Sequence, residues 1–313
     1  MDFNFPALPN SKTEIVEFDL TLEQRAILKL IEKEDLTKKE IAGIQEAIEF
    51  YKITFPYLQS IPLSTINDDD ALQIKKYLNE AINFQIIVEN DITFEILSRV
   101  TPVKEKFLEN GKVRDPKYII HPSIEVLKEL GLYNRASSPE LSLFYASFHE
   151  TVALHEVKPK VGERIIITKW RNTTGKKFVS FPISNNETVK NRMLQHSTAA
   201  IKKLGEKTNP LLFALIHHHL LFLSTEFVKN ENIVHPKRYE YLFSAYFGDE
   251  LLNDNKIISD KIKPKNDKGK NMGNFDCILY PSVAFNHKEE NVAVSPRALF
   301  QNLKPVKIEE SIV

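Results

Sequence analysis

Apolar residues in the first third of the chain recur at helical spacing, in three segments that each follow a polar residue. The segments are LEQRAILKLIEKE, LTKKEIAGIQEAIEFYKITF and DDDALQIKKYLNEAINFQIIVEN. Thr21 and Thr37 stand where the first two helices begin, and each has a Gln or Glu three residues later, which is the pattern of a capping box. Pro56 is predicted to end the second helix, because proline has no N–H to donate. The pattern predicts a helical unit over residues 1–92.

From Thr93 onward the pattern changes to short alternating runs that are typical of strands. The predicted strands are TFEILSRV, FYAS, ERIIITKW, KKFVSFPIS, FDCILYPSVAF and ENVAVSP. Between them, ETVALHEV has helical spacing, and a long helical insertion is predicted at about 185–270. Short strands with irregularly placed helices predict an α+β fold for residues 93–313 rather than a doubly wound parallel sheet.

Composition excludes several classes of protein. The 313 residues include one cysteine, Cys277, so neither an intrachain disulfide nor a cysteine-ligated zinc site can form. The first residues do not resemble a signal peptide, and no apolar stretch is long enough for a comfortable membrane span, so we expect a cytoplasmic protein without membrane contact. Net charge is zero, but residues 1–92 carry 9 basic and 17 acidic residues, which leaves the remainder basic.

The chain lacks the short motifs of several common enzyme classes. No GxGxxG, no P-loop and no HExxH occurs, and only nine glycines are present. His217, His218 and His219 are consecutive, and on a helix they point in three directions, so we expect no metal site. The segment EDLTKKEIAGIQEAIEF faintly resembles a helix-turn-helix. Its second helix would be acidic, which disfavours binding to nucleic acid.

The stretch FYASFHETVALHE places two glutamates, Glu150 and Glu156, on one predicted helix. Glu150 is predicted to be structural, because an acid in the first turn of a helix interacts favourably with the helix dipole. Taken alone, Glu156 is expected to be an acid on the surface of that helix.

Further candidates lie at intervals along the second part of the chain. Arg99 lies in EILSRV, Arg135 and Tyr145 in YNRASSPELSLFYAS, Ser282 in FDCILYPS and Asn291 in ENVAV. These segments, with HETVALHEV between them, resemble in order the motifs of the RES-domain family over about residues 93–300. The family takes its name from an arginine, a glutamate and a serine, and its named glutamate matches Glu156.

This resemblance implies an ADP-ribosyltransferase-like fold and an enzyme that cleaves the nicotinamide–ribose bond of NAD⁺ by phosphorolysis, hydrolysis or ADP-ribosyl transfer. NAD⁺ is then the substrate rather than a cofactor, and phosphate is a candidate co-substrate. Glu156 would stabilise the oxocarbenium-like transition state, while Tyr145 would orient nicotinamide. Arg99 and Arg135 would bind the pyrophosphate, Asn291 would bind substrate, and Ser282 would bond phosphate or ribose.

The resemblance further implies a toxin or a stress or defence effector with a cognate antitoxin. A homo-oligomer is left open. Cys277 replaces a glycine that is usual in the family, and this favours an alternative, a catalytically silent binding module of the same fold. A DNA-binding regulator is a third and weaker alternative, because of the acidic helix described above.

Overall fold

The computed structural model describes residues 1–17, 20–82, 90–103, 108–110, 112–113, 119–131, 133–183, 209–229, 239–253, 275–286 and 288–313. These residues form two compact units. One unit contains the described residues of Met1–Ile87 and Thr198–Thr225, and the other contains those of Val88–Ser197 and Glu226–Val313.

The first unit is mainly helical, as the sequence predicts, but its bounds differ from the predicted 1–92. Asn90–Ile92 is a strand of the other unit, and the first unit includes described residues of 198–225 from the predicted insertion. It contains a small β-ribbon of β1 (Ile15–Glu17) and β2 (Leu20–Thr21) and the helices α1 (Asn10–Thr13), α2 (Leu22–Glu32), α3 (Lys38–Ser60), α4 (Asp68–Ala81) and most of α7 (Pro210–Phe227). The capping boxes predicted at Thr21 and Thr37 are both present. They fix the starts of α2 and α3 because each satisfies backbone N–H groups that have no partner within the helix.

The expectation that Pro56 ends α3 is wrong, because the helix continues to Ser60. A proline removes the hydrogen bond to the carbonyl four residues earlier, which here belongs to Lys52. Both Pro56 and Lys52 are exposed. A carbonyl on the solvent side of a helix can bond water instead, so the helix tolerates the missing bond.

The second unit is built on an eight-stranded sheet in the order β12-β8-β4-β7-β11-β10-β9-β3. All neighbouring pairs are antiparallel except β10 and β9. The strands are β3 (Asn90–Ile92), β4 (Ile96–Pro102), β7 (Phe144–Ser147), β8 (Arg164–Asn172), β9 (Phe178–Pro182), β10 (Cys277–Pro281), β11 (Glu290–Val294) and β12 (Leu303–Ile312). The predicted α+β class is confirmed.

Smaller elements complete the unit. They are the ribbon β5 (Leu108–Glu109) with β6 (Lys112–Val113), and the helices α5 (Ile124–Leu130), α6 (Glu150–Val157), α8 (Leu242–Leu252) and α9 (Pro296–Asn302). The strand FYAS and the helix ETVALHEV have the predicted bounds. Within the predicted insertion, α7 and α8 are helical, whereas 187–207 and the lysine-rich segment at 261–274 lie outside the described residues.

Each face of the sheet carries an apolar cluster that packs against a helix. The larger cluster packs α9 against the sheet and includes Phe144, Trp170 and Val292. The smaller cluster includes Val100 on β4 and Ala153 on α6. Helix α6 is therefore held against the centre of the sheet by its own apolar side. In the part of the chain that the structure describes, no helix is long and apolar enough to cross a membrane.

Candidate functional site

One row of paired residues crosses four adjacent strands, and its last three members, Ser147, Asn291 and Tyr280, belong to the site. Ser98 on β4 pairs with Ser147 on β7, Ser147 pairs with Asn291 on β11, and Asn291 pairs with Tyr280 on β10. Residues directly opposite each other on neighbouring strands project their side chains to the same face of a sheet. The register alone therefore brings Ser147, Asn291 and Tyr280 side by side.

Glu156 reaches this row from helix α6. It lies three residues after the buried Ala153, so both residues are on the same side of the helix. Its Oε1 accepts a hydrogen bond from Asn291 Nδ2 at 2.8 Å and a second from the hydroxyl of Ser282. The Asn291 Oδ1 in turn accepts a bond from Ser147 Oγ at 2.5 Å. One carboxylate oxygen of Glu156 is thus bonded to β11 and to the residue that follows β10.

Arg99 lies where β4 and β7 separate. The two strands pair only at Ser98 and Ser147, and the guanidinium of the next residue, Arg99, donates from Nη1 to the carbonyl of Tyr145 at 2.8 Å. Its Nε is buried without a hydrogen-bond partner. Among the described residues no carboxylate pairs with Arg99. Burial lowers the pKa of this guanidinium to about 10, so it still carries its positive charge at neutral pH.

Arg135 is held by the end of a helix. Its Nη1 donates to the carbonyl of Phe227, the last residue of α7, and makes a longer bond of 3.5 Å to the carbonyl of Lys229. Carbonyls at a helix C-terminus have no partner within the helix and attract cations. Within the described ranges Arg135 also forms no ion pair. The guanidinium carbon of Arg135 lies 5.3 Å from the ring centroid of Tyr241 and 5.9 Å from that of Tyr280.

Three tyrosines, Tyr145, Tyr241 and Tyr280, line the same cavity as the arginines and Glu156. The Tyr145 hydroxyl accepts a bond from the Ala136 backbone N–H at 2.9 Å, which connects β7 to the segment that carries Arg135. Burial raises the pKa of Tyr145 and raises that of Tyr280 more strongly. Both phenols are therefore neutral at physiological pH and offer hydroxyl groups rather than negative charge.

Glycine allows helix α8 to approach this segment. A side chain at Gly248 would meet the carbonyl oxygen of Ala136 at 2.1 Å, closer than any Cβ can come. Only glycine permits this contact. Because Ala136 follows Arg135 directly, the contact packs α8 onto the backbone that presents the arginine.

The two arginines, the three tyrosines, Glu156 and Asn291 line one cavity within the second unit. Its volume of about 420 Å³ is within the usual size range of small-molecule sites. Five of the six residues singled out in the sequence line it: Arg99, Arg135, Tyr145, Glu156 and Asn291. Ser282 does not line the cavity. It is fully buried behind Glu156 and donates its hydrogen bond there.

Glu150 has a different environment from Glu156. It is the first residue of α6, and its carboxylate pairs with Lys169 of β8 at 3.0 Å. It does not line the cavity. One helix thus carries a glutamate paired with a lysine at its start and a glutamate that faces the cavity near its end.

Sequence reasoning missed Ser147, Tyr241 and Tyr280. Ser147 and Tyr145 are two residues apart on β7 and therefore share a face, so alternation along FYAS was a signal for Ser147. Tyr280 lies two residues before Ser282 in a motif already singled out. Tyr241 comes from the predicted insertion, where no sequence pattern connects it to the site.

His219 of the triple histidine is buried in the first unit, where its Nδ1 contacts the Leu215 carbonyl at 3.0 Å. Among the residues that the structure describes, no group of three or more His, Cys, Asp or Glu side chains is placed to hold a metal ion. Comparison of the chain with family models, with curated proteins and with solved structures finds no match.

Proposed function

We propose that the second unit is a RES-like domain with an ADP-ribosyltransferase-like fold, and that it consumes NAD⁺ by cleaving the nicotinamide–ribose bond. The observation that carries this proposal is the composition of the cavity. Two arginines without carboxylate partners in the described chain line the same cavity as one glutamate. A dinucleotide has a pyrophosphate that can pair with the arginines and a ribose that can lie beside the glutamate.

The arginines suit a pyrophosphate. A guanidinium keeps its charge at neutral pH and offers several donors in one plane, which matches the oxygens of phosphate groups. Nη1 of each arginine is bonded to a backbone carbonyl, and these bonds fix where each guanidinium lies. The positive charges are therefore held in place before a ligand arrives, which reduces the entropy lost on binding.

Glu156 suits the developing charge on the ribose. Loss of nicotinamide leaves positive charge on the ribose ring, and a fixed carboxylate stabilises that charge more in the transition state than in the ground state. Tyr145 and Tyr280 are neutral and aromatic, and both line the cavity. They supply flat surfaces against which nicotinamide can stack.

The test is the release of nicotinamide from NAD⁺ by the purified full chain, followed by liquid chromatography. Glu156→Gln should slow release by about 100- to 1000-fold, because the amide keeps the shape and removes the charge. Glu150→Gln is the matched control at the other end of α6 and should retain activity. A wild-type chain that releases no nicotinamide, or a Glu156→Gln variant with wild-type activity, would contradict the proposal.

The same assay identifies the acceptor. Phosphorolysis requires added phosphate and yields a phosphorylated ADP-ribose, whereas hydrolysis proceeds in its absence and yields ADP-ribose. A protein acceptor would retain the ADP-ribose as a covalent adduct. A role as the toxin of a toxin–antitoxin pair is part of the proposal through the sequence resemblance. Its test is growth arrest on expression of the wild type and not of Glu156→Gln. If NAD⁺ binds but is not consumed, the silent binding module replaces the enzyme.

A further inference from the structure

We propose that Ser147 and Ser282 are positioning residues that fix the Glu156 carboxylate, with Ser147 acting through Asn291. The catalytic meaning of this inference rests on the proposed function, whereas the hydrogen-bonded relay itself does not. The relay runs from Ser147 to Asn291 and from Asn291 to Glu156, and Ser282 joins it at the same carboxylate oxygen. In this relay Asn291 and Ser282 bind the Glu156 carboxylate rather than the substrate.

The direction of each bond follows from the chemistry of the groups. An ionised carboxylate only accepts hydrogen bonds, so Asn291 must present its NH₂ group to Glu156. Its Oδ1 then points the other way and needs a donor, which the Ser147 hydroxyl supplies at 2.5 Å. Without that hydroxyl, the amide would have a buried acceptor without a partner, and the orientation that serves Glu156 would lose its support.

Burial makes the relay rigid. Ser147, Ser282 and Asn291 are 2%, 0% and 3% exposed, so water does not compete for these bonds. The row across the sheet fixes Ser147 against Asn291 through backbone pairing. A glutamate side chain has many rotamers when it is free, and the relay selects one of them before substrate binds.

The relay also determines which oxygen meets the substrate. Both donors bind Oε1. No described residue donates to Oε2, and the Glu156 side chain is only partly buried where it lines the cavity. A carboxylate oxygen in that position accepts hydrogen bonds from hydroxyl groups. The ligand chemistry that fits it is a pair of neighbouring sugar hydroxyls, such as those of a ribose.

The chain contains a matched control for Ser147. Ser98 is its direct partner on β4, and it is 3% exposed. It is therefore a buried serine in the same row of the same sheet. It does not line the cavity, and it has no bond to Asn291 or Glu156. Removal of its hydroxyl tests whether any small change in this row affects turnover.

The experiment is a double-mutant cycle on the full chain, with kcat and KM for NAD⁺ measured for Ser147→Ala, Asn291→Ala and the double variant. Ser147→Ala should lower kcat by about 10- to 100-fold, because small misplacements of a catalytic group have effects of this size. KM should stay unchanged, since the bonds to substrate remain. The double variant should be no slower than Asn291→Ala alone, because Ser147 acts through Asn291.

Two further variants keep the test decisive if Ser147→Ala folds poorly. Ser147→Thr retains the hydroxyl and should retain most of kcat, and Ser282→Ala removes the second donor and should lower kcat independently. Ser98→Ala should match the wild type. A Ser147→Ala variant with wild-type kcat would overturn the inference, as would losses that simply multiply in the double variant.

A second readout separates this inference from the proposed function. The urea midpoints of the wild type, Ser147→Ala, Asn291→Ala and the double variant report the bond between Ser147 and Asn291. They do so whether or not NAD⁺ is a substrate. Midpoint shifts that are smaller in the double variant than the sum of the single shifts support the relay, and additive shifts overturn it. If the wild type consumes no NAD⁺, the proposed function fails, and the catalytic role of the relay fails with it.

Discussion

Two clusters of charged residues, one in each unit of the chain, differ in how their charges are balanced. In the first unit the Lys12 ammonium is fully buried and lies 2.6 Å from Glu23 Oε2. The hydroxyl of Tyr51 bonds both of these groups. In the second unit Arg99 and Arg135 face a cavity and have no carboxylate partner among the described residues.

We propose that the difference reflects the separate roles of the two clusters. A charge that is removed from water is tolerated when an opposite charge and hydrogen bonds surround it. The cluster around Lys12 meets this condition within the chain, so it has no need of a ligand and is structural. The two arginines meet it only in part, through backbone carbonyls. An anion in the cavity would complete their environment, which is why their lack of a partner indicates a binding site.

The largest expected effect concerns the cluster of Lys12, Glu23 and Tyr51. Glu23→Gln removes the carboxylate that pairs with the buried ammonium of Lys12. Loss of one partner of a buried pair should lower the free energy of unfolding by about 3–5 kcal/mol, measured by urea titration. Glu49→Gln, which breaks the exposed pair with Lys52, is the control and should change little. An unchanged stability of Glu23→Gln would show that the cluster is not structural.

A second prediction concerns the pH dependence of stability that arises from His219, which packs against the Lys12 cluster. Burial lowers the pKa of His219, whose ring packs on Tyr51 and Phe55, to about 3. The unfolded chain binds a proton there near pH 6.5, whereas the folded chain stays neutral, so stability falls as pH falls below that value. Between pH 7 and 5 the loss should be about 2 kcal/mol.

The control for this pH effect is His219→Phe, which keeps an aromatic ring and removes the titrating group. Urea titrations of both proteins at pH 7 and pH 5 measure the difference, and other titrating groups cancel between them. An equal pH dependence in the two proteins would mean that His219 becomes protonated in the folded chain.

A third prediction concerns the arginines of the cavity, which have no carboxylate partner among the described residues. Arg99→Lys keeps the charge and removes the fork of donors, so affinity for ADP-ribose should fall by about tenfold, or 1.4 kcal/mol. The free energy of unfolding should fall by only about 1 kcal/mol, because the bond from Nη1 to the Tyr145 carbonyl is lost but no ion pair within the described chain is lost. Calorimetric titration measures the first quantity and urea titration the second. Unchanged affinity combined with a large loss of stability would place Arg99 in the structural class.

A fourth and smaller effect is expected at Arg135. Its Nη1 bonds the carbonyls of Phe227 and Lys229, so Arg135→Lys should lower the free energy of unfolding by about 1 kcal/mol as well as weaken ADP-ribose binding. Arg99 makes one such bond, to the Tyr145 carbonyl, so the two variants should show similar small losses of stability. A variant with unaltered stability would show that the bonds at the end of α7 contribute nothing.

The sequence predicted the elements that carry strong local signals. The capping boxes at Thr21 and Thr37, the strand FYAS and the helix ETVALHEV all follow from spacing and side-chain chemistry. Strand β12 was not predicted. Val306, Ile308 and Ile312 alternate with polar residues, which was an available signal, but most of the strand is exposed and it contains Pro305. Helix α3 passes Pro56 because the lost bond faces solvent, a property of the folded helix and not of its sequence.

Part of the candidate site was also predictable. Five of the six residues singled out from motifs line one cavity, although they are separated by up to 192 positions, from Arg99 to Asn291. The structure gives Ser282 a buried position behind Glu156, which no motif could specify. The relay through Ser147 depends on the register between β7 and β11, and that register is set by long-range pairing. Tyr241 reaches the cavity from a separate helical segment, which local patterns do not detect.

The central claim is that the cavity's arginines receive their counter-charge from the phosphates of a ligand. The most direct test is calorimetric titration of the full wild-type chain with ADP-ribose and, separately, with adenosine, in a buffer free of phosphate. The account predicts that ADP-ribose binds at least about 100-fold more tightly than adenosine, because charge-assisted bonds to the pyrophosphate contribute several kcal/mol. Equal affinities for the two ligands, or no binding of ADP-ribose, would contradict it.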